Sequence, residues 1–207
     1  MTDTSSPFQA LHEFVPVARA RLSDNIWHYL IGGTETETTV KRNRLAIDSL
    51  ALRPRVLRDV SRIDTGSELF GKPLALPLIT APIGSLESFD PEGGAAAARA
   101  AGRAGIASCL SSVSAPGLEA TAAAAPEAAR IYQLYVRGGP DWVDETVRRA
   151  VDAGYAAFCL TVDTAIYSRR ERDVANRFVK PWRQRAFGQE LQAALNWDDV
   201  KRFKDHH

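Results

Sequence analysis

Leu160-Thr161-Val162-Asp163-Thr164, followed closely by Ser168-Arg169-Arg170-Glu171-Arg172-Asp173, is the stretch whose reading decides the fold. The apolar run from Ala156 to Leu160 predicts a β-strand. It delivers a hydroxyl, a carboxylate and then two guanidinium groups to the C-terminal end of that strand, the end at which an α/β fold gathers its chemistry.

Working back from this segment, strands are predicted near 76–81, 106–110, 130–135 and 156–161, separated by helices near 92–104, 116–124 and 140–153. Strands alternating with helices of this length imply βαβ units and a parallel sheet, a pattern that doubly wound and barrel folds share. Ahead of them, Leu69-Phe70-Gly71-Lys72-Pro73-Leu74 reads as a turn between two short extended pieces. Helical spacing marks residues 8–22, and Ser23-Asp24 can cap a second helix from Asn25 to Ile31, which Gly32-Gly33 ends through the left-handed conformation glycine tolerates. A third, threonine-rich helix is predicted from Thr34 to Leu45, and a last one from Trp197 to Lys204, capped by Asn196. The alanine-rich tracts Gly94 to Ala101 and Ala120 to Ala125 suit helix and carry no functional assignment.

Composition narrows the function classes. The 207 residues are 45% hydrophobic, enough for a substantial core, and 26 basic against 25 acidic side chains argue against a nucleic-acid or anionic-membrane partner. No apolar stretch approaches the ~20 residues of a membrane span and the N-terminus has no leader pattern, so a cytoplasmic protein is expected. Cys109 and Cys159 lie in apolar strand-like runs outside any metal spacing and are expected to be buried reduced thiols. No metal site is expected, and His206-His207 reads as a frayed end.

Further segments make the pattern specific: Ala81-Pro82-Ile83-Gly84 after the run Leu74 to Thr80, Leu110-Ser111-Ser112, Tyr132-Gln133-Leu134-Tyr135, Asp59-Val60-Ser61 and Pro91-Glu92-Gly93. Together with Thr161 to Asp173 they resemble the FMN-dependent L-2-hydroxy acid dehydrogenase and oxidase family, the relatives of glycolate oxidase and lactate oxidase. That resemblance chooses the barrel. The expected fold is α/β, the N-terminal half of a TIM (β/α)8 barrel, because a full barrel takes about 250 residues and the first ~50 here precede any barrel strand. The chain is expected to form one domain, with leading helices at 1–50, a connecting hairpin at 51–75 and the first four βα units at 76–207.

The resemblance implies FMN as cofactor and a small 2-hydroxy acid as substrate. It lays the backbone of Ala81, Pro82, Ile83 and Gly84 along the flavin ring, and sets Ser111, Gln133 and Thr161 to hydrogen-bond the ring's carbonyls and nitrogens. It gives Tyr135 the substrate oxygen, and Tyr29 and Arg170 the substrate carboxylate, which a planar guanidinium suits. Asp163 would hydrogen-bond a catalytic histidine and stabilise its protonated form. The residues alone leave other readings open: a strand-ending Pro-Gly loop at Gly84, a helix cap at Ser111 or Asp163, a core aromatic at Tyr29. Arg169, Arg172 and Arg177 fit ion pairs or a solvated face. Val113 stands where glycolate-oxidising relatives carry an aromatic residue, which would widen the pocket for longer or branched acids.

His12, His28, His206 and His207 are the only histidines, and none stands in the motif of the family's base. The base, the second carboxylate-binding arginine, the flavin-polarising lysine and the phosphate site belong to the family's later strands. An open half-barrel leaves sheet edges and an apolar interior uncovered, so self-association or a complementing C-terminal half is the expected partner. The alternative is a non-catalytic remnant or interaction module.

Overall fold

In the computed structural model, residues 7–180, 183 and 187–207 are described. The chain divides into two compact units: the residues up to Pro54 with Ser168–Val179, and Arg55–Tyr167 with Lys180–His207. The linear partition expected above does not anticipate that the segment after the last strand joins the leading helices.

The larger unit is built on a parallel sheet. A hairpin precedes it, β1 (Ser67–Leu69) antiparallel to β2 (Lys72–Leu74), turned by Phe70 and Gly71, both at positive φ. Then come β3 (Ile79–Thr80), β4 (Ala107–Ser111), β5 (Arg130–Leu134) and β6 (Ala157–Leu160), paired in that order and all parallel. The expected strand 76–81 shrinks to two residues. Pro77 has no N–H to give a ladder, and Leu78 N–H turns back to the carbonyl of Leu76.

Register fixes the two faces, because side chains alternate along a strand and paired residues point the same way. Leu110, Tyr132 and Phe158 are paired across β4 to β6, as are Leu134 and Leu160 across β5 and β6, on the face covered by helices. Over it lie α4 (Gly93–Arg103), α5 (Leu118–Ala124) and α6 (Pro140–Asp152); α5 and α6 present Leu118, Ala122, Val143, Val147 and Ala150 to the core, and α4 buries Ala95, Ala98 and Ala101. The spacing Val143, Thr146, Val147, Ala150 is the buried stripe of an amphipathic helix. In α4 the small residues have a packing purpose: a β-carbon on Gly94 would stand 2.5 Å from Leu110 Cδ1. The helix lies too close to β4 for anything larger.

The other face carries Cys109, Ile131 and Ala157 in one row and Ser111, Gln133 and Cys159 in the next. Its N-terminal end is covered where Leu74 and Leu69 of the hairpin pack on Ala107 and Ala129, and Ser111 at its C-terminal end is buried. Here one expectation fails. Cys159 is exposed and Cys109 only half-buried, because among the described residues nothing packs over the middle of the face they share.

Arg130 fastens the N-terminal ends of β5 and β6. Its buried guanidinium donates to the carbonyls of Ala125, Pro126, Ala128, Ala153 and Gly154, and lies 5.6 Å from the centre of the Tyr155 ring. Ala125 and Ala153 are the C-caps of α5 and α6, so the cation sits where two helices end in unpaired, negatively polarised carbonyls.

Downstream, α8 (Gln189–Ala194) and α9 (Trp197–His206) complete this unit. Asn196 caps α9 as expected, accepting from Asp198 N–H at 2.8 Å. His207 is not frayed: its Nε2 lies 3.0 Å from Asp144, its ring packs on Phe203, and Phe203 packs on Phe158. Arg202 reaches the same carboxylate at 2.5 Å, and this donor above all holds Asp144 down at about 2.

The smaller unit contains α1 (Phe14–Arg21), α2 (Asp24–Ile31), α3 (Thr38–Asp48) and α7 (Glu171–Ala175). The third helix starts four residues later than expected, after a turn in which Glu35 and Glu37 take positive φ. Gly32 ends α2 in an extended, not a left-handed, conformation. What requires glycine is space, since a β-carbon would meet the His28 carbonyl at 2.6 Å. Among the described residues no helix is long and apolar enough to cross a membrane.

Three measurements check this account. Arg130→Met keeps the stem but strands five carbonyls, so it should cost at least about 3 kcal/mol in denaturant unfolding. Cys159 should react with an aromatic disulfide reagent in the native chain at pH 8, while Cys109, whose thiol burial pushes up to about 12, should wait for unfolding; peptide mapping separates the two. The Asp144 carboxylate is depressed in the fold, so its contribution is complete above its unfolded value of about 4 and lost as pH falls toward 2. The difference in thermal midpoint between wild type and Asp144→Asn should therefore vanish over that interval.

Candidate flavin site

Parallel strands bring their C-terminal ends to one edge, and the expected residues meet there. Ala81 to Gly84 leave β3, Ser111 ends β4, Gln133 is the penultimate residue of β5 and Thr161 follows β6. Ala81 and Ile83 are exposed, and Pro82 and Gly84 half-buried. Gly84 leads into Ser85, which is fully buried at φ 58° and whose N–H donates to the Val113 carbonyl at 2.9 Å. Glu87 accepts from Ala115 N–H at 3.0 Å, and Gly94 N–H donates to the Ala115 carbonyl at 2.8 Å. The loops leaving β3 and β4 are thus stitched together by three hydrogen bonds.

The side chains at this edge differ in how they are satisfied. Ser111 Oγ accepts from Val113 N–H at 3.4 Å and holds its own loop. It does not cap α5, whose N-cap is Gly117. Gln133 Oε1 and Thr161 Oγ1 are buried with no hydrogen-bond partner among the described residues. A buried polar atom left unpaired costs about 1–3 kcal/mol, and two of them on adjacent strand ends form a polar cradle with open valences. A flat heteroaromatic ring edged with carbonyls and nitrogens would satisfy both.

Around the cradle, Tyr135 is half-buried, its N–H donating to Ser112 Oγ at 3.0 Å and the Arg137 guanidinium 5.9 Å from its ring centre. Tyr135 and Val113 both line a cavity of about 490 Å³, together with Pro116, Trp142 and Phe187. Asp163 is exposed in the loop after β6 and accepts from the Thr164 hydroxyl at 3.3 Å. The helix-cap reading of Asp163 is excluded, since α7 begins only at Glu171 with Arg170 as its N-cap.

Tyr29 and Arg170 belong to the smaller unit and meet within it. Arg170 Nη2 donates to the carbonyls of Tyr29 and Gly32 at 2.6 and 2.8 Å, and its charge lies 5.0 Å from the Tyr29 ring centre. Asp173 pairs with Arg170 at 3.0 Å. The neighbouring arginines form ion pairs, Arg172 with Glu37 at 2.5 Å and Arg169 with Glu35 at 3.9 Å. Arg172 above all brings the Glu37 carboxyl down to about 2.

Sequence reasoning missed two residues that hold this edge. Gln192 is buried between the exits of β5 and β6, accepting from Val136 N–H at 2.8 Å and donating to the Thr161 carbonyl at 2.7 Å. Arg137 is buried too, donating to the Phe187 carbonyl at 3.0 Å and to the Tyr167 hydroxyl at 3.3 Å. Neither lies in a motif. A polar side chain in a short, weakly patterned helix gives no sign of being buried. No group of three or more potential metal ligands occurs among the described residues.

Glycolate oxidase 1 of Oryza sativa is 40% identical over 169 residues, covering 82% of this chain and 46% of that protein. The L-lactate oxidase of Nostoc sp. strain PCC 7120 is 35% identical over 227 aligned positions, covering 97% and 62%. A crystal structure of mandelate oxidase with (S)-2-phenylpropionate superposes with a TM-score of 0.86 at 33% identity, covering 97% of this chain and 59% of that one. The chain spans about half the length of the curated relatives it matches, and its fold is the matching part of their TIM barrel. Residues 18–207 match the model of the FMN-dependent dehydrogenases, and the chain belongs to that family, whose cofactor is FMN.

Proposed function

We propose that this chain forms the flavin-ring half of an enzyme that oxidises an L-2-hydroxy acid to the 2-oxo acid. The observation that carries the reading is the pair of unpartnered buried atoms, Gln133 Oε1 and Thr161 Oγ1, at neighbouring strand ends beside Ser111 and the Ala81–Gly84 loop. When bound, FMN supplies the acceptor for the hydride equivalent that leaves the substrate.

Each residue has a part in this reading. The backbone of Ala81, Pro82, Ile83 and Gly84 flanks the ring, while Ser111, Gln133 and Thr161 fix its polar edge. Tyr135 hydrogen-bonds the substrate oxygen; Tyr29 and the Arg170 charge attract its carboxylate. Asp163 receives the N–H of a protonated histidine and so raises that histidine's basicity. Such a histidine stands at none of the strand ends described, because His12 and His28 lie in the leading helices and His206 and His207 in α9. A complementing C-terminal half is therefore proposed to bring the base and the phosphate site, and the exposed Cys159 beside the half-buried Cys109 supports a partner on that face.

The same open face and the same lack of a histidine favour one alternative, a non-catalytic module that pairs with a second chain or itself. Co-expression with the C-terminal half of a relative separates the two. The enzyme reading predicts a yellow assembly whose flavin is bleached anaerobically by L-lactate or a longer L-2-hydroxy acid, and an isolated chain that turns over none. Asp163→Asn should then lower turnover by about 10²-fold or more with flavin content unchanged. An assembly that holds FMN but is reduced by no L-2-hydroxy acid would establish the non-catalytic module.

A further inference from the structure

In a parallel ladder, a residue donates its N–H to one strand position and accepts through its carbonyl from the position two residues further on. Thr161 begins this pattern, its N–H donating to the Leu134 carbonyl at 2.9 Å. The next rung would run from Val136 N–H to the Thr161 carbonyl. It is not made directly. The side-chain amide of Gln192 occupies it, with Oε1 2.8 Å from Val136 N and Nε2 2.7 Å from Thr161 O.

We infer that Gln192 is a positioning residue: its buried amide is a wedge inserted into the β5–β6 ladder that sets the spacing of Tyr135 from Thr161 and Asp163. This rests on the reading of those three residues given above. An amide is the side chain that can do it, because it offers a donor and an acceptor from one planar, uncharged end, as a peptide group does. The wedge holds the strands apart where β5 passes from Gln133 through Tyr135 to Val136, and where β6 gives way to Thr161, Val162 and Asp163.

Three further contacts keep the wedge seated. Gln189, one turn earlier, donates to the carbonyls of Thr164 and Ala165 at 3.0 and 3.3 Å, gripping the loop just after Asp163. Arg137 holds the carbonyl of Phe187. Gly188 lies at φ 69°, and a β-carbon there would come within 2.8 Å of the Arg137 carbonyl, so the loop into α8 approaches β5 closely only as glycine. Gln192 is 2% exposed. Its amide is committed to the two strands.

The test uses Gln192→Leu, which removes both hydrogen bonds at similar volume, and Gln192→Glu, whose carboxyl can replace both only while protonated. In the isolated chain, amide exchange of Val136 should quicken roughly tenfold or more in Q192L while amides of β4 and α4 keep their wild-type rates. In Q192E the ionised carboxylate can still accept from Val136 N–H but can no longer donate to the Thr161 carbonyl, so the Thr161 carbonyl-carbon resonance should hold its wild-type position in acid and shift as the carboxyl ionises, a rescue that a space-filling role would not show. In the flavin-loaded assembly with a C-terminal half, Q192L should lower kcat about tenfold with little change in KM or flavin content. Unchanged Val136 exchange in Q192L would overturn the wedge; altered exchange with wild-type kcat in an active assembly would overturn its positioning role. An inactive wild-type assembly would instead count against the reading of the site, and the exchange measurements would still decide the wedge.

Discussion

The in-register parallel pairing of β3 to β6 is the constraint on which everything else depends. It puts Leu110, Tyr132 and Phe158 on one face and Cys109, Ile131 and Ala157 on the other, and a slip of one residue between any two strands would exchange them. The covered face recruits α5 and α6 through Leu118, Val143, Val147 and Ala150, and α4 through the close approach of Gly94 to Leu110. The same pairing lines up the strand ends, so residues far apart in sequence, Gly84, Ser111, Gln133 and Thr161, arrive at one edge with no special device to bring them there.

The two ends of the sheet are finished in different ways, and the difference separates stability from chemistry. At the N-terminal end Arg130 spends its guanidinium on five carbonyls and the hairpin seals Ala107 under Leu74. At the C-terminal end the loops are tied backbone to backbone, by Ser85 to Val113 and Gly94 to Ala115, and by the Glu87 and Gln192 side chains. Those ties leave Gln133 Oε1 and Thr161 Oγ1 without a partner among the described residues. Rigid loops with unspent polar atoms are what a flavin ring needs, since preorganised partners cost no reordering when it arrives.

Much of this was legible in the sequence because its signals are local. Alternating apolar runs and helical stripes located every barrel strand and the three covering helices, and Asn196 announced its own helix. What escaped depends on contacts distant in sequence. Pro77 shortened β3 through a ladder bond it could not make. Cys159 reads as buried from its apolar neighbours, yet its exposure is decided by what lies across the sheet. The cation of Arg170 is held by backbone carbonyls 138 and 141 residues away, and Gln192 lies 56 residues from Val136, separations at which no residue pattern gives warning. The site's chemistry came from matched strand ends, but its mounting came from side chains outside every motif.

The central claim is that the C-terminal edge of this sheet is a cradle for the flavin ring. It is tested most directly by adding FMN at millimolar concentration to isotope-labelled chain and mapping which amide resonances move. Shifts are expected at Gly84, Ser111 and Thr161 and in the Gln133 side-chain amide, with Arg130 and the hairpin unmoved. Shifts confined to other surfaces, or none at all, would contradict it.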